Sequence, residues 1–135
     1  MKSTNDQERN RDFVRALYVA SFAGDIDAFP KAMADDFKAY VPPLLPWGGV
    51  HRGPDEFVNS VLPQLAVAVD FASMRLLSIS ADSDNVAALL SARTTGGDEI
   101  WIAEHWIVQD DQLWRLRVFY DDTRPFASLW APTAS

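Results

Sequence analysis

The 135-residue sequence contains no cysteine and only two histidines. The absence of cysteine excludes disulfides, thiolate nucleophiles and zinc–sulfur sites. His51 falls in a predicted loop and His105 in a predicted strand, so they offer no facial or tetrahedral set of ligands. We therefore expect no metal site and no cofactor, and we expect His51 to be a solvated loop residue.

Positive charge is also sparse, with 12 Lys and Arg against 19 Asp and Glu, for a net charge of -7. A phosphate-binding surface needs clustered basic residues, and the dispersed ones here argue against nucleic acid and anionic membranes as partners. No apolar run approaches the roughly 20 residues of a membrane span. The polar start, MKSTNDQERNRDF, lacks the apolar core of a signal peptide. We expect a soluble cytoplasmic protein.

What the sequence does contain is apolar and aromatic, at 48% and 12% of residues. This is enough for a single domain over residues 1–135, with a core of about 6–123 and a tail at 124–135. Hydrophobic periodicity predicts three helices and then a run of strands, which is typical of an α+β domain with a largely antiparallel sheet. The predicted helices cover about 4–23, 26–34 and 54–65, and the predicted strands cover 37–41, 70–80, 85–95 and the two arms of 100–122.

The segment 100–122 reads IWIAEHWIV, QDDQ and LWRLRVFYDD, which predicts a long β-hairpin. Side chains alternate between the two faces of a strand. In the second arm, Leu116, Val118 and Tyr120 should therefore point inward. Arg115 and Arg117 should point outward.

The first arm is apolar on both faces, and its pattern alone leaves two orientations open. One orientation buries Glu104 together with Trp106, and the other buries His105. Either way an ionisable side chain lies among aromatic residues. Since an unpaired buried charge is costly, such a group needs a partner, a bound proton or a function.

The motifs AGDIDAF, ADDF, PWGGVHRGPDEF and EHWIVQDDQLWRLRVFYD follow one another between Phe13 and Asp122. In this order and spacing the sequence resembles the nuclear transport factor two-like superfamily, which has a cystatin-like cone fold. This superfamily includes ketosteroid isomerase, scytalone dehydratase, limonene epoxide hydrolase and the SnoaL-like polyketide cyclases. The PWGG loop is most similar to the SnoaL-like branch. The resemblance implies a curved, mainly antiparallel sheet packed against three helices, with an internal pocket.

Set against ketosteroid isomerase, the resemblance places Glu104 where that family keeps a buried, protonated aspartic acid. His105 then lies on the outer face. Other catalytic positions differ. The general base of the isomerase corresponds to Val41, and its catalytic tyrosine corresponds to Leu17, with Tyr18 one residue away.

In the SnoaL-like cyclases an acid near the end of the last strand is the usual base, and Asp122 is the match, with Asp121 as an alternative. If the hairpin turn has three residues, Glu104 pairs with Val118, and Asp122 lies roughly 13 Å from Glu104 at ~3.4 Å per residue. Glu104 and Asp122 are thus the predicted catalytic residues. The predicted substrate-binding residues are Tyr18, Phe22, Trp47, Phe57, Val61, Trp106, Val118 and Tyr120.

Two classes of function follow from these residues. The first is a cofactor-free isomerase, dehydratase, cyclase or hydrolase that acts on a small, largely apolar molecule by general acid–base catalysis. The alternative is a non-catalytic ligand-binding or dimerisation module. Glu104 could instead be satisfied by a neighbouring Tyr, Trp or Arg93, and Asp122 could cap the backbone or pair with Arg124.

Besides a small molecule, a second copy of the chain is an expected partner. Trp101, His105, Ile107 and Phe119 form a face too apolar to be left in water, which predicts a homodimer through that face. The tail carries Phe126, Leu129 and Trp130 and is predicted either to pack on the body or to close the pocket.

Overall fold

The structure is a computed structural model that describes residues 4–127. It contains a curved, unclosed six-stranded sheet with strand order β2-β1-β6-β5-β4-β3 and three helical segments. The predicted α+β class is confirmed. The strands are β1 (Met33–Val41), β2 (Gly49–Arg52), β3 (Val69–Asp82), β4 (Asn85–Thr94), β5 (Glu99–Gln109) and β6 (Gln112–Tyr120). The helical segments are α1 (Thr4–Phe22), α2 (Ala28–Ala32) and α3 (residues 53–68).

The sheet is mainly antiparallel, and its one parallel pair joins β1 to β6. The core lies between the helices and one face of the sheet. It includes Val14 of α1, Phe37 of β1, Leu90 of β4 and Trp106 of β5, each with at most 2% of its surface exposed. No helix within residues 4–127 is long and apolar enough to cross a membrane.

Helix α1 presents Val14 and Tyr18 to the core because they lie one helical turn apart on the same stripe. The helix ends at Phe22, one residue before its predicted end, and the chain then turns through Gly24. Gly24 adopts φ +106°, and the next backbone N–H, of Asp25, donates back to the carbonyl oxygen of Ala20. A left-handed residue with this return hydrogen bond is the usual end of a helix, and glycine adopts it without strain.

Strand β2 was not predicted, and the interpretation of residues 42–52 as a loop was wrong for its last four residues. Gly49–Arg52 pairs with β1 in antiparallel register, with His51 opposite Ala39. The chain reverses between the two strands through Gly48, where a Cβ atom would lie 2.1 Å from the carbonyl oxygen of Pro42. Four residues without apolar alternation gave no strand signal of their own.

Helix α3 continues beyond Pro63, where we expected a kink or an end. It runs from Gly53–Glu56 through a π-helical turn, Phe57–Val61, into Leu62–Ala68. In the π-helical turn the N–H of Leu62 donates to the carbonyl oxygen of Phe57, five residues earlier. A wider turn of this kind is an established way for a helix to absorb an irregularity.

The β5–β6 hairpin reverses in a two-residue turn, Asp110-Asp111, where both residues have positive φ. The register then shifts by one residue beside Trp114, since Val108 pairs with Leu113 but Ile107 pairs with Arg115. The tight turn and the bulge together give the same strand pairing as the three-residue turn that we assumed.

A larger irregularity interrupts β3. Asp70 pairs with Arg93 of β4, and pairing resumes at Arg75 with Ser91. Residues 71–74 therefore face a single residue of β4, Ala92, and form a bulge in the sheet. The even alternation predicted for this strand does not hold across the bulge.

Candidate functional site

A pocket of about 310 Å³ lies between the helices and the sheet. Its wall is apolar apart from the side chains of Tyr18, Ser21 and Glu104, and aromatic rings make up much of it. The lining residues are Tyr18, Ser21, Phe22, Gly24, Ile26, Phe29, Pro30, Phe57, Leu62, Leu65, Phe71, Ala72, Met74, Glu104, Trp106 and Leu116. Largely apolar concave sites with a few polar groups are the usual form of small-molecule sites.

Glu104 enters this pocket from the middle of β5. It pairs with Val118 of β6 on one side and Ala88 of β4 on the other. Because residues two apart share a face, Glu104 points the same way as Ile102 and Trp106, which are both buried. The strand thus places one carboxyl group within an otherwise apolar wall.

A chain of hydrogen bonds ends on Glu104. The indole N–H of Trp106 donates to the hydroxyl oxygen of Tyr18 over 2.9 Å, and the Tyr18 hydroxyl donates to Glu104 Oε1 over 2.5 Å. The ring of Phe29 stacks on Trp106 with centroids 5.1 Å apart. Glu104 Oε2 has no hydrogen-bond partner within residues 4–127, so Tyr18 holds one carboxyl oxygen and leaves the other available.

The surroundings of Glu104 change its protonation. Burial raises the pKa of Glu104 above its usual range because the charged form is poorly solvated there, and the hydrogen bond from Tyr18 offsets part of this rise. Burial, followed by the nearby Glu104 charge, raises the pKa of Tyr18 well above that of an ordinary tyrosine. Tyr18 therefore keeps its proton, while Glu104 takes up a proton more readily than an exposed glutamate.

The structure brings together five of the predicted site residues, namely Glu104, Tyr18, Phe22, Phe57 and Trp106. Tyr18 was predicted only to bind substrate, and in the structure its hydroxyl also donates to Glu104. The resemblance had matched the catalytic tyrosine of the isomerase to Leu17, whereas the tyrosine in the pocket is the neighbouring Tyr18. The binding and catalytic roles of these residues stay predictions.

Other predicted substrate-binding residues do not line the pocket. Val61 and Val118 are buried core residues. Trp47 is 1% exposed and donates its indole N–H to the hydroxyl of Tyr120 over 3.3 Å. The rings of both pack against buried Phe126. The start of the tail therefore packs on the body, while Leu129 and Trp130 lie outside the described residues.

Asp122 is also away from the pocket lining. Its carboxylate accepts three hydrogen bonds from the guanidinium of Arg124, at 2.8 to 3.1 Å, and this interaction lowers the pKa of Asp122. Asp121 accepts a hydrogen bond from the backbone N–H of Trp101. Neither acid is brought to Glu104, because both lie beyond the last residue of β6, and the predicted catalytic role of Asp122 stays untested.

The two histidines lie elsewhere. His51 is 8% exposed, so its prediction as a solvated loop residue was wrong. It lies on β2 with Nε2 2.7 Å from the carbonyl oxygen of Trp47. His105 lies on the opposite sheet face from Glu104, with Nε2 2.8 Å from Asn85 Oδ1. Within the described part of the chain, no group of three or more His, Asp or Glu side chains is placed to hold a metal.

Several lining residues were missed by the sequence reasoning. Phe29 lies in α2 and Ile26 in the turn before it, within the helix predicted at 26–34, but neither was assigned to the site. Phe71, Ala72 and Met74 come from the bulge of β3, where strand alternation no longer indicates which side chains face inward.

Comparison with known proteins identifies the family. The sequence profile of the SnoaL-like domain matches residues 14–116, which is most of the chain. The chain therefore belongs to the SnoaL-like domain family. A search of curated protein sequences finds no relative that matches significantly.

Solved structures agree on the fold. An NTF2-like protein from Burkholderia thailandensis E264 aligns with a TM-score of 0.76 at 23% identity, covering 91% of this chain and 98% of that one. A putative SnoaL-like polyketide cyclase from Jannaschia sp. CCS1 aligns at 0.71 and 17% identity, covering 98% and 99%. TerC, crystallised with polyporic acid, aligns at 0.71 and 19% identity, covering 89% and 96%. At these identities the likeness shows the fold alone.

Proposed function

We propose that this member of the SnoaL-like domain family binds a small, largely apolar molecule carrying an oxygen function, and that Glu104 acts on that oxygen. The observation that carries the proposal is the isolation of Glu104. Among the lining residues within 4–127 it is the only carboxyl group, and no basic side chain lines the pocket with it. A single carboxyl group in a largely apolar wall fixes the orientation of a ligand.

The direction of the hydrogen bonds supports a donor role for Glu104. Trp106 donates to Tyr18 and Tyr18 donates to Oε1, which occupies that oxygen as an acceptor. When Glu104 is neutral, its proton sits on Oε2, the oxygen that does not accept from Tyr18. The chain of donors then ends in an O–H group directed at the ligand, and successive hydrogen bonds in such a chain strengthen one another.

A neutral carboxylic acid that donates to a carbonyl oxygen makes the adjacent C–H bonds more acidic. This is the general acid part of cofactor-free isomerisation, dehydration or cyclisation. The putative cyclase from Jannaschia and the polyporic acid bound to TerC are consistent with ligands of this kind. We propose Tyr18 as the positioning residue for Glu104, and Phe22, Phe57 and Trp106 as apolar contacts.

The alternative is a ligand-binding or dimerisation module without catalysis. One observation favours it: no second carboxyl group, histidine or basic side chain lines the described pocket to serve as a base, since Asp122 is held by Arg124. We also propose the homodimer through the outer sheet face, where Trp101 and Phe119 are 45% and 52% exposed. Light scattering at micromolar concentration tests the dimer, and a monomer would contradict it.

The ligand test uses acetophenone and ethylbenzene, which have nearly the same shape but differ in the carbonyl oxygen. We expect the protein to bind the ketone about two- to tenfold more tightly, which corresponds to one hydrogen bond of about 0.5–1.5 kcal/mol. Glu104→Leu should abolish this preference, and Glu104→Gln should keep it because the amide still donates. If Glu104→Leu preferred the ketone as strongly as the wild type does, the proposal would be contradicted.

The same ligand separates catalysis from binding. In deuterated water, an enzyme that enolises the bound ketone replaces the methyl protons with solvent deuterons, and proton NMR follows the loss of the methyl signal. Exchange that depends on Glu104 supports the enzyme. Glu104-dependent binding without exchange supports the binding module.

A further inference from the structure

The mouth of the pocket carries three large apolar side chains that are exposed to solvent. Phe22 ends α1, Ile26 lies between α1 and α2, and Phe71 lies in β3. Their exposed fractions are 41%, 74% and 42%. All three also line the pocket that contains Glu104. We call these three residues the apolar rim, and exposed apolar surface that continues into a pocket is typical of a ligand-binding groove.

Hydrogen bonds fix Phe71 in this position. The backbone N–H of Arg93 donates to Ser73 Oγ over 2.8 Å, and the Ser73 hydroxyl donates to the carbonyl oxygen of Asp70 over 2.6 Å. The Asp70 carboxylate accepts the backbone N–H of Ala72 over 3.1 Å. These bonds tie the β3 bulge to the next strand. A bulge beside a site commonly redirects a side chain towards that site.

The pocket is polar at one place and apolar everywhere else. Glu104 lies in the wall of the sheet, while the rim lies where the pocket opens to solvent. The volume of about 310 Å³ is at the lower end of the ~300–1,000 Å³ range of ligand sites. A molecule that reaches Glu104 and also covers the solvent-exposed surface of Phe22, Ile26 and Phe71 must therefore extend beyond the pocket.

We infer that the apolar rim is a second subsite, and that the ligand is an amphipathic molecule longer than the pocket. Its oxygen lies at Glu104 and its apolar part, an alkyl chain or a further ring, crosses the rim. This inference rests on the proposed function because it places the oxygen at Glu104. The rim adds affinity by removing apolar surface of both the ligand and the protein from water.

Straight-chain methyl ketones with alkyl groups from pentyl to undecyl test the inference. Each buried methylene strengthens binding by about fourfold. We expect the dissociation constant, measured by titration calorimetry, to keep falling along the whole series because the added carbons lie on the rim. A constant that stops falling at the shortest ketones would overturn the inference, because the chain beyond the pocket would then be in water.

Variants of the rim locate the effect. In Phe71→Ser and Ile26→Ser the ratio of the dissociation constants of the pentyl and undecyl ketones should fall several-fold relative to the wild type. Val19→Ser is the matched control, since Val19 is also an exposed aliphatic residue, at 62%, but does not line the pocket. The same ratio in all three variants would overturn the inference. So would rim variants that change only the oligomeric state measured by light scattering, because the rim would then be covered by a second copy.

The outcomes separate this inference from the proposed function. Short ketones whose binding does not depend on Glu104, or that do not bind, contradict the proposed function and the inference with it. Short ketones that bind through Glu104 but gain nothing from a longer chain contradict the inference alone.

Discussion

Glu104 and Asp122 are two acids from one hairpin, and their surroundings act on them in opposite directions. Glu104 lies in mid-strand within an apolar wall, where burial raises its pKa. Asp122 lies just beyond the end of β6, where the guanidinium of Arg124 lowers its pKa. The surroundings of Glu104 shift its carboxyl group towards the neutral form and those of Asp122 shift it towards the charged form, although both residues have the same chemical group.

The difference comes from depth in the sheet rather than from sequence neighbours. Glu104 is flanked on its own face by buried Ile102 and Trp106. Asp122 has solvent and a cation that is 90% exposed. Two acids with opposite shifts can divide acid and base roles only if both reach the ligand. Of these two acids, only Glu104 lines the pocket, so the contrast supports one acting carboxyl group rather than two.

The largest expected effect comes from removing the hydroxyl that holds Glu104. In Tyr18→Phe the buried indole N–H of Trp106 loses its acceptor and Glu104 loses its donor. We expect the free energy of unfolding to fall by about 1–3 kcal/mol, which is the usual cost of leaving a buried polar group without a partner. Urea denaturation followed by circular dichroism measures it.

Tyr40→Phe is the matched control, because the Tyr40 hydroxyl has no hydrogen bond to the described residues and its ring contact with Arg117 is kept. Equal destabilisation in the two variants would mean that the hydrogen-bond chain to Glu104 contributes nothing specific. Tyr18→Phe should also raise the pKa of Glu104 further, since the hydrogen bond that lowers it is gone. This widens the contrast with Asp122.

Much of this contrast was predictable from the sequence. Alternation of side chains along the second arm of the hairpin placed Leu116 inside and Arg117 outside, and both are found there. The family resemblance decided between Glu104 and His105, a choice that the first arm alone left open. The hairpin turn was assumed to be one residue longer than it is, but the bulge beside Trp114 restores the same pairing.

The rest depended on tertiary contacts that no local pattern encodes. The burial of His51 follows from the pairing of β2 with β1. A strand of four residues is too short for its sequence to predict that pairing. Phe71 reaches the pocket through an irregularity of β3 that Ser73 and Asp70 stabilise. The link from Tyr18 to Glu104 joins residues 86 positions apart, so it becomes visible only once α1 lies on the sheet.

The second expected effect is a pH dependence that comes from Glu104. Its folded-state pKa is raised, so between the ordinary glutamate pKa of about 4.3 and the raised value the folded protein binds more protons than the unfolded chain. Stability due to this group is therefore full at low pH and is lost as the pH rises through that interval. Glu104→Gln cannot ionise, so its stability relative to the wild type should increase with pH there, by at most about 1.4 kcal/mol per unit.

Urea denaturation midpoints at several pH values measure this difference. Glu99→Gln, which removes a solvent-exposed carboxylate from the same strand, is the matched control and should follow the wild type. If Glu104→Gln also ran parallel to the wild type across the interval, the carboxyl group would behave like an exposed one. The proposed donor role would then be lost.

The smallest expected effect comes from Asp122→Asn, and its direction is opposite to that of Glu104→Gln. The pKa of Asp122 is lowered by Arg124, so its stabilising contribution is present above the ordinary aspartate pKa of about 3.9 and is lost as the pH falls through the folded value. Exposed ion pairs contribute little, so the variant should be only slightly less stable at neutral pH and should match the wild type in acid. Arg124→Gln should behave in the same way.

Both variants should keep the preference for acetophenone over ethylbenzene, because neither side chain lines the pocket. If Asp122→Asn lost that preference and Arg124→Gln kept it, Asp122 would contact the ligand. Glu104 and Asp122 would then act together, as the sequence predicted.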